Sequence, residues 1–289
     1  MPEQTLKSSA LTARIDSMGA ELNSLKTHNE RELIWQADPK VWPRHAPLLF
    51  PIVGRLKNDT LTYQGDNYPI SQHGFARDLE FQLTEQSDSS CTFLLASDTE
   101  TKKHYPFSFE LKVRYRLKLN CLEVCYSLIN PDKAPLYASI GGHPAFVWPL
   151  DPATAKENHL IEFQWEETAP IRRLNNGLIE ATPYSSVVSN RKLHLSDSLF
   201  REDAIIFDRL RSRRVSYSGG AMRITVDFED FPHLGIWSKP GADFICIEPW
   251  QGYASSETFE GEFSNKPGII EIGAHQQRQW CYTISVTGY

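Results

Sequence analysis

FSFELKVRYRLKL, residues 107–119, decides the fold. Phe107, Phe109, Leu111, Val113, Tyr115 and Leu117 take alternate positions, and Ser108, Glu110, Lys112, Arg114, Arg116 and Lys118 fill the places between them. Successive side chains of a strand point to opposite faces, so alternation held this long specifies a half-buried antiparallel strand. After Leu119-Asn120-Cys121 the pattern resumes with Leu122, Val124, Tyr126 and Leu128, which makes the two runs a hairpin.

Working outward, QWCYTISV (279–286) alternates again, with Trp280, Tyr282, Ile284 and Val286 on one side. HLIEFQW (159–165), AMRITVDF (221–228) and ADFICIEP (242–249) are further strand candidates. Helical signal is scarce: PKVWPR (39–44) and SDSLFRED (196–203) are each long enough for a turn or two. Eighteen prolines and sixteen glycines punctuate the chain. Many short strands between frequent turn signals specify a β-sandwich or barrel and exclude alternating β-α units. No linker, repeat or low-complexity stretch interrupts the 289 residues, so one large all-β domain over 1–289 is expected.

A formal net charge of −6 gives no general attraction to nucleic acid or to an anionic membrane. The basic run DRLRSRRVSY (208–217) is short and reads as a solvated strand end. The N-terminus shows no apolar leader, and no apolar run approaches the ~18 residues of a membrane span. Five scattered cysteines, Cys91, Cys121, Cys125, Cys246 and Cys281, read as buried free thiols of a cytoplasmic protein. Cys121 and Cys125 lack the second ligand pair of a zinc knuckle, and no motif supports a metal.

Three residues look out of place in a purely structural sheet. Glu248 continues the row of Phe244 and Cys246, while Ile245 and Ile247 make the other face apolar too. A strand apolar on both faces is central, and a carboxylate there is costly unless paired or used. Pro249 is expected to stop the ladder directly after it. His143 follows Gly141-Gly142, which permit close approach, and precedes Pro144. His73 lies in SQHGFARDL (71–79) beside Gly74. A strand-end glutamate reaching solvent, a satisfied core histidine and a turn histidine are the structural alternatives.

Together with their surroundings these residues form an ordered set. VGRLKNDTLTYQGDNYPISQHGFAR (53–77), IGGHPAF (140–146), REDAIIFD (201–208) and CIEPWQG (246–252) resemble, in that order, the aldose 1-epimerase (galactose mutarotase-like) superfamily, especially its LacX-like branch. The resemblance runs from about residue 8 to the C-terminus. It implies a large antiparallel β-supersandwich with an open, concave sugar cleft and no cofactor. It also implies roles: Glu248 as catalytic carboxylate, His143 as the histidine donating to the ring oxygen, and His73 as a second cleft histidine. Arg55 stands where relatives carry a substrate-binding arginine, although the segment here is GRL without the preceding asparagine. Asp203 in REDAIIF matches the family's aspartate. The family's turn before the last strand is replaced by IEIGAHQQRQW (270–280).

Anomer interconversion requires a base for the C1 hydroxyl proton and an acid for the ring oxygen. With reference pKa values of about 4.3 for Glu and about 6.5 for His, Glu248 is expected ionised as base and His143 protonated as acid. Trp237 and Trp250 are candidate stacking surfaces or core residues. Arg77 is either tied to Asp78 or Glu80 or placed to meet the phosphate of a phosphorylated hexose, with Arg55 and Lys57 assisting. A non-catalytic sugar-binding protein on the same fold is the second reading. A glycosidase, which needs two facing carboxylates about 5–10 Å apart, is the third. A small sugar is the expected partner of a monomer or homodimer.

Overall fold

The computed structural model describes residues 3–289. Among these residues the regular structure is nearly all strand, and helix is confined to single 3-10 turns. The hairpin forms as Glu110–Lys118 and Cys121–Ile129, with Leu117 opposite Leu122 and Tyr115 opposite Val124. The Gln277–Thr287 strand pairs with the other edge of Cys121–Ile129. These three are central to an antiparallel sheet that has nine strands among the described residues. Its order is Lys192–His194, Leu160–Phe163, Arg214–Gly219, Met222–Asp227, Gln277–Thr287, Cys121–Ile129, Glu110–Lys118, Ser90–Ala96 and Gln82–Gln86.

The period-two pattern becomes the two faces of this sheet. Leu111, Val113, Tyr115, Leu117, Leu122, Val124, Tyr126, Trp280, Tyr282 and Ile284 are buried. Lys112, Arg114, Arg116 and Lys118 are exposed. Each full burial of such an apolar side chain is worth about 1.5–3 kcal/mol before ordering entropy is subtracted, so the alternation fixes register as well as strand type. The same register overturns one expectation. Cys125 and Cys281 stand opposite each other on neighbouring strands and are joined by a disulfide. Their separation of 156 residues hid a pairing that only the sheet order creates. Cys91, Cys121 and Cys246 are free.

The second large sheet runs Ile205–Phe207, His233–Trp237, Phe244–Gln251, Ile140–Gly142 and Leu48–Leu49, and Ala145–Val147 also pairs with Phe244–Gln251. Every residue of Phe244–Gln251 is buried, as its doubly apolar sequence requires. Pro249 does not end it, because pairing continues to Gln251. The strand changes neighbour there: Ala145–Val147 covers residues 244–246, and Ile140–Gly142 covers 250 and 251. Proline's missing N–H falls in the gap between the two partners, where a sheet tolerates it. SDSLFRED forms a 3-10 turn at Asp197–Phe200, whereas PKVWPR makes only a hydrogen-bonded turn.

One core joins the sheets. Leu111, Tyr126 and Trp280 of the first meet Ile140, Ile245 and Ile247 of the second. Phe244, Cys246, Glu248 and Trp250 therefore occupy the face of their strand turned from this core, beneath loops that carry Trp42, Arg44, His73 and Arg77. A smaller sheet of Gln4–Lys7, Leu11–Ile15 and Leu22–Thr27 adds its apolar residues to the main core.

Candidate active site

The break between Ile140–Gly142 and Ala145–Val147 places His143 beside the central strand. Gly141 pairs with Trp250, two residues beyond Glu248. The His143 Nε2 consequently lies 3.2 Å from a Glu248 carboxylate oxygen, although more than a hundred residues separate them in the chain. The backbone N–H groups of His143 and Ala145 donate to the carbonyls of Pro47 and His45, which fix the break. A Cβ at Gly141 would approach the Trp250 ring to 2.5 Å, and one at Gly235 would approach it to 2.4 Å. These two glycines make room for the indole that floors the site.

Aromatic groups hold the imidazole. Trp42 stacks on His143 with ring centroids 5.0 Å apart, and Trp237 meets it edge-on at 5.8 Å. His73 also faces it edge-on at 5.8 Å. The His73 Nδ1 accepts the Gly54 N–H at 3.1 Å, so the neutral ring carries its proton on Nε2. Burial first, then the charge of Arg77, holds His73 well below the ordinary imidazole range.

Around this centre opens a cleft of about 370 Å³, lined by His73, Arg77, His143, Asp203, Trp237, Glu248 and Trp250 among others. Its size falls in the usual range of small-molecule sites, about 300–1,000 Å³. Asp203 adopts φ 62° and accepts the Ala204 N–H at 2.8 Å. Arg77 donates to the Gln72 carbonyl at 2.8 Å and keeps only a loose 3.8 Å contact with Asp78. Burial lowers Arg77 to about 10. Arg44 lines the same cleft and pairs with Asp78 at 2.8 Å. Arg55 is not brought to the cleft lining: its guanidinium makes two 2.6 Å hydrogen bonds to Asp59, four residues on, and a third to the Asn176 carbonyl at 3.1 Å. Lys57 likewise pairs with Glu260 at 2.9 Å, away from the site.

Burial changes the expected charge states. Glu248 is 1% exposed, and that burial raises its pKa well above the ordinary value; the Asp203 charge adds to the rise and the Trp250 indole weakly opposes it. Burial also lowers His143 to about 3, with Arg77 and Arg44 acting the same way and its own backbone the other. Removing a charge from water penalises the ionised form of each group. Burial thus favours the neutral form of both groups, against the carboxylate and imidazolium expected from reference values.

Nine buried side-chain polar atoms among the described residues lack a hydrogen-bond partner, and four belong to this cleft: His143 Nδ1, Glu248 Oε2, Trp250 Nε1 and Arg77 Nε. Buried polar groups are nearly always satisfied, so four unmet groups around one cleft set it apart from the rest of the interior. Trp42 and Arg44 escaped the sequence reading because PKVWPR suggested only a short helical turn. Both tryptophans that were singled out, Trp237 and Trp250, do line the cleft.

The family model described as aldose 1-epimerase matches residues 2–270. The chain is 35% identical over 296 residues to the chromosomal protein LacX of Lactococcus lactis subsp. lactis, covering 97% of this chain and 98% of that one. Among solved structures, a galactose mutarotase related enzyme from Lactobacillus acidophilus superposes with a TM-score of 0.92 at 34% identity, covering 99% of this chain and 97% of the other. A galactose mutarotase-like protein from Lactobacillus casei ATCC 334 also gives 0.92, at 29% identity, covering 99% and 100%.

Proposed function

The chain belongs to the aldose 1-epimerase family, and from that premise we propose that it interconverts the α and β anomers of an aldohexose by opening and reclosing the pyranose ring. The observation that carries this reading is the His143–Glu248 pair, buried, 3.2 Å apart and facing a cleft with unmet polar atoms.

Ring opening takes a proton from the C1 hydroxyl and gives one to the ring oxygen. In the neutral pair one proton sits on Glu248. Passing it to His143 Nε2 creates the carboxylate base and imidazolium acid that the reaction uses. In water this transfer is favourable by about 2.2 pKa units, or ~3 kcal/mol. Burial opposes it by penalising both charges. Their mutual attraction at 3.2 Å returns about 5 kcal/mol at an effective dielectric of ~20. That attraction and the intrinsic preference of the proton for imidazole offset part of the burial penalty. Sugar hydroxyls donating to the carboxylate favour the ionised arrangement further.

Glu248 then accepts the C1 hydroxyl proton as His143 protonates the ring oxygen, and the bond between C1 and that oxygen breaks. Rotation about C1–C2 presents the other carbonyl face, and the same groups run in reverse. His73, with its proton on Nε2, donates to the ring oxygen or a neighbouring hydroxyl. Asp203 accepts a peripheral hydroxyl. Trp237 and Trp250 supply apolar surface for the ring.

A phosphorylated hexose is the second reading, favoured by one specific observation. Arg77 and Arg44 both line the cleft, and Arg77 keeps an Nε without a hydrogen-bond partner, so two guanidinium charges border the space a phosphate would need. A polarimetric or coupled mutarotation assay across glucose, galactose and their 6-phosphates tests both. Acceleration of any anomer conversion supports the enzyme, and a preference for the phosphates supports the second reading. Tight sugar binding without acceleration would replace the enzyme with a binding protein.

A further inference from the structure

We infer that His143, Cys246 and Glu248 form a three-donor site for a thiophilic divalent cation, with zinc as the best fit, and that a cation held there excludes the sugar chemistry. The donor atoms of these three residues all lie within 4.8 Å of one another, and all three residues are buried. Cys246 and Glu248 are two apart on one strand, so their side chains share a face. His143 closes the triangle from the neighbouring chain break, its Nε2 already 3.2 Å from Glu248.

A tetrahedral zinc with bonds of about 2.0–2.3 Å needs its ligand atoms roughly 3.3–3.6 Å apart. The observed triangle reaches that geometry by side-chain movements of about an ångström. Glu248 Oε2 is buried and makes no hydrogen bond of good geometry even though His143 Nε2 approaches it to 3.2 Å, so it keeps a lone pair for a ligand. Sulfur, nitrogen and oxygen together select zinc or a similar soft ion. Magnesium and calcium require oxygen shells that this site does not offer.

Charge also fits. A thiolate and a carboxylate neutralise a divalent cation, leaving no net charge in a buried site. The Cys246 thiol releases its proton to solvent on binding, as does Glu248 when it is protonated, so each new bond replaces an O–H or S–H bond. Trp42 and Trp237 pack against the Cys246 cluster and keep its surroundings apolar. His143 and Glu248 line the cleft, and the ion occupies the lone pairs on them that proton transfer requires. The inhibitory consequence rests on the proposed function; the binding itself does not.

The test is a cobalt(II) titration of the full chain, read by absorbance. The wild-type protein should develop a thiolate-to-cobalt charge-transfer band that zinc abolishes by displacement. The double variant Cys91→Ser/Cys121→Ser, which leaves Cys246 as the one thiol outside the disulfide, should keep the band. Cys246→Ser should lose it and weaken zinc binding by about tenfold or more. In mutarotation assays zinc should compete with sugar in the wild type. Cys246→Ser should retain basal turnover and lose zinc sensitivity. Absence of the band in the wild type or the double variant, or equal zinc affinity in Cys246→Ser, overturns the site. A band without any mutarotation would instead overturn the proposed function and leave the metal site standing.

Discussion

Replacing Glu248 with glutamine should make the protein more stable while removing its activity. The folded carboxyl is 1% exposed and held well above its ordinary pKa by burial. The unfolded carboxyl has a pKa of about 4.3, so below that pH both states are protonated and the group has no effect. As pH rises past it, the unfolded state releases its proton while the folded state resists, and stability falls. At pH 7 the penalty is bounded by the free energy of protonating a reference carboxyl, about 2.7 units at 1.36 kcal/mol each, or ~3.7 kcal/mol. Glutamine stays neutral and removes the penalty, but its amide N–H groups need partners, and His143 Nε2 supplies one. The expected net gain is about 1–3 kcal/mol at pH 7, a Tm rise of several degrees, shrinking toward zero near pH 4. Loss of the base should lower the enzymatic rate by about 10²- to 10⁴-fold. Urea denaturation at both pH values and polarimetry on the same preparation make the measurement. A less stable variant at pH 7, or an equal gain at both pH values, refutes the burial argument. Unchanged turnover removes Glu248 from the mechanism.

His143→Ala should lose most of the accelerated mutarotation. In the wild type, kcat/KM should stay flat through the pH range of an ordinary histidine, because His143 gains a second proton only at about pH 3; an acid limb near pH 6.5 would refute this. Lys266 is buried and lowered to about 7, so between there and its unfolded value of about 10.4 the unfolded chain holds the extra proton and stability climbs with pH. Lys266→Met should flatten that climb, measured as Tm against pH, and an undiminished slope would assign it to another group. Cys125→Ser should cost about 2–4 kcal/mol in oxidised protein and nothing after reduction. Arg77→Leu should raise KM for a phosphorylated hexose far more than Arg55→Leu does, and the reverse order would restore Arg55 as a ligand contact.

The sheet was legible because burial on one face repeats every second residue. Glu110–Lys118, Cys121–Ile129 and Gln277–Thr287 were found from that period alone. What the period does not encode is which strand lies beside which. The Cys125–Cys281 disulfide depends entirely on that order, so spacing along the chain pointed to free thiols. Pro249 failed as a stop signal for a related reason. A proline ends a strand only where a neighbour needs its N–H, and here the neighbour itself is broken at His143 and Pro144.

That break also explains why part of the site was readable. Glu248 announced itself by continuing an apolar row in a strand buried on both faces, a local property that one sequence displays. His143 became its partner through the pairing of Gly141 with Trp250, which resemblance to the family supplied and local pattern did not. Arg55 lies outside the cleft lining for a reason that a residue's type at a matching position does not reveal: Asp59, four residues away, holds it in two hydrogen bonds. The guanidinium groups that do line the cleft are those of Arg77 and Arg44. Arg77 donates to a carbonyl and keeps Nε unpartnered, and Arg44 pairs with Asp78, which is more than half exposed. A guanidinium saturated by a bidentate carboxylate has little left for a ligand. One with an orphan N–H gains most when an anion arrives, which makes Arg77 a better candidate than Arg55 for a phosphate contact.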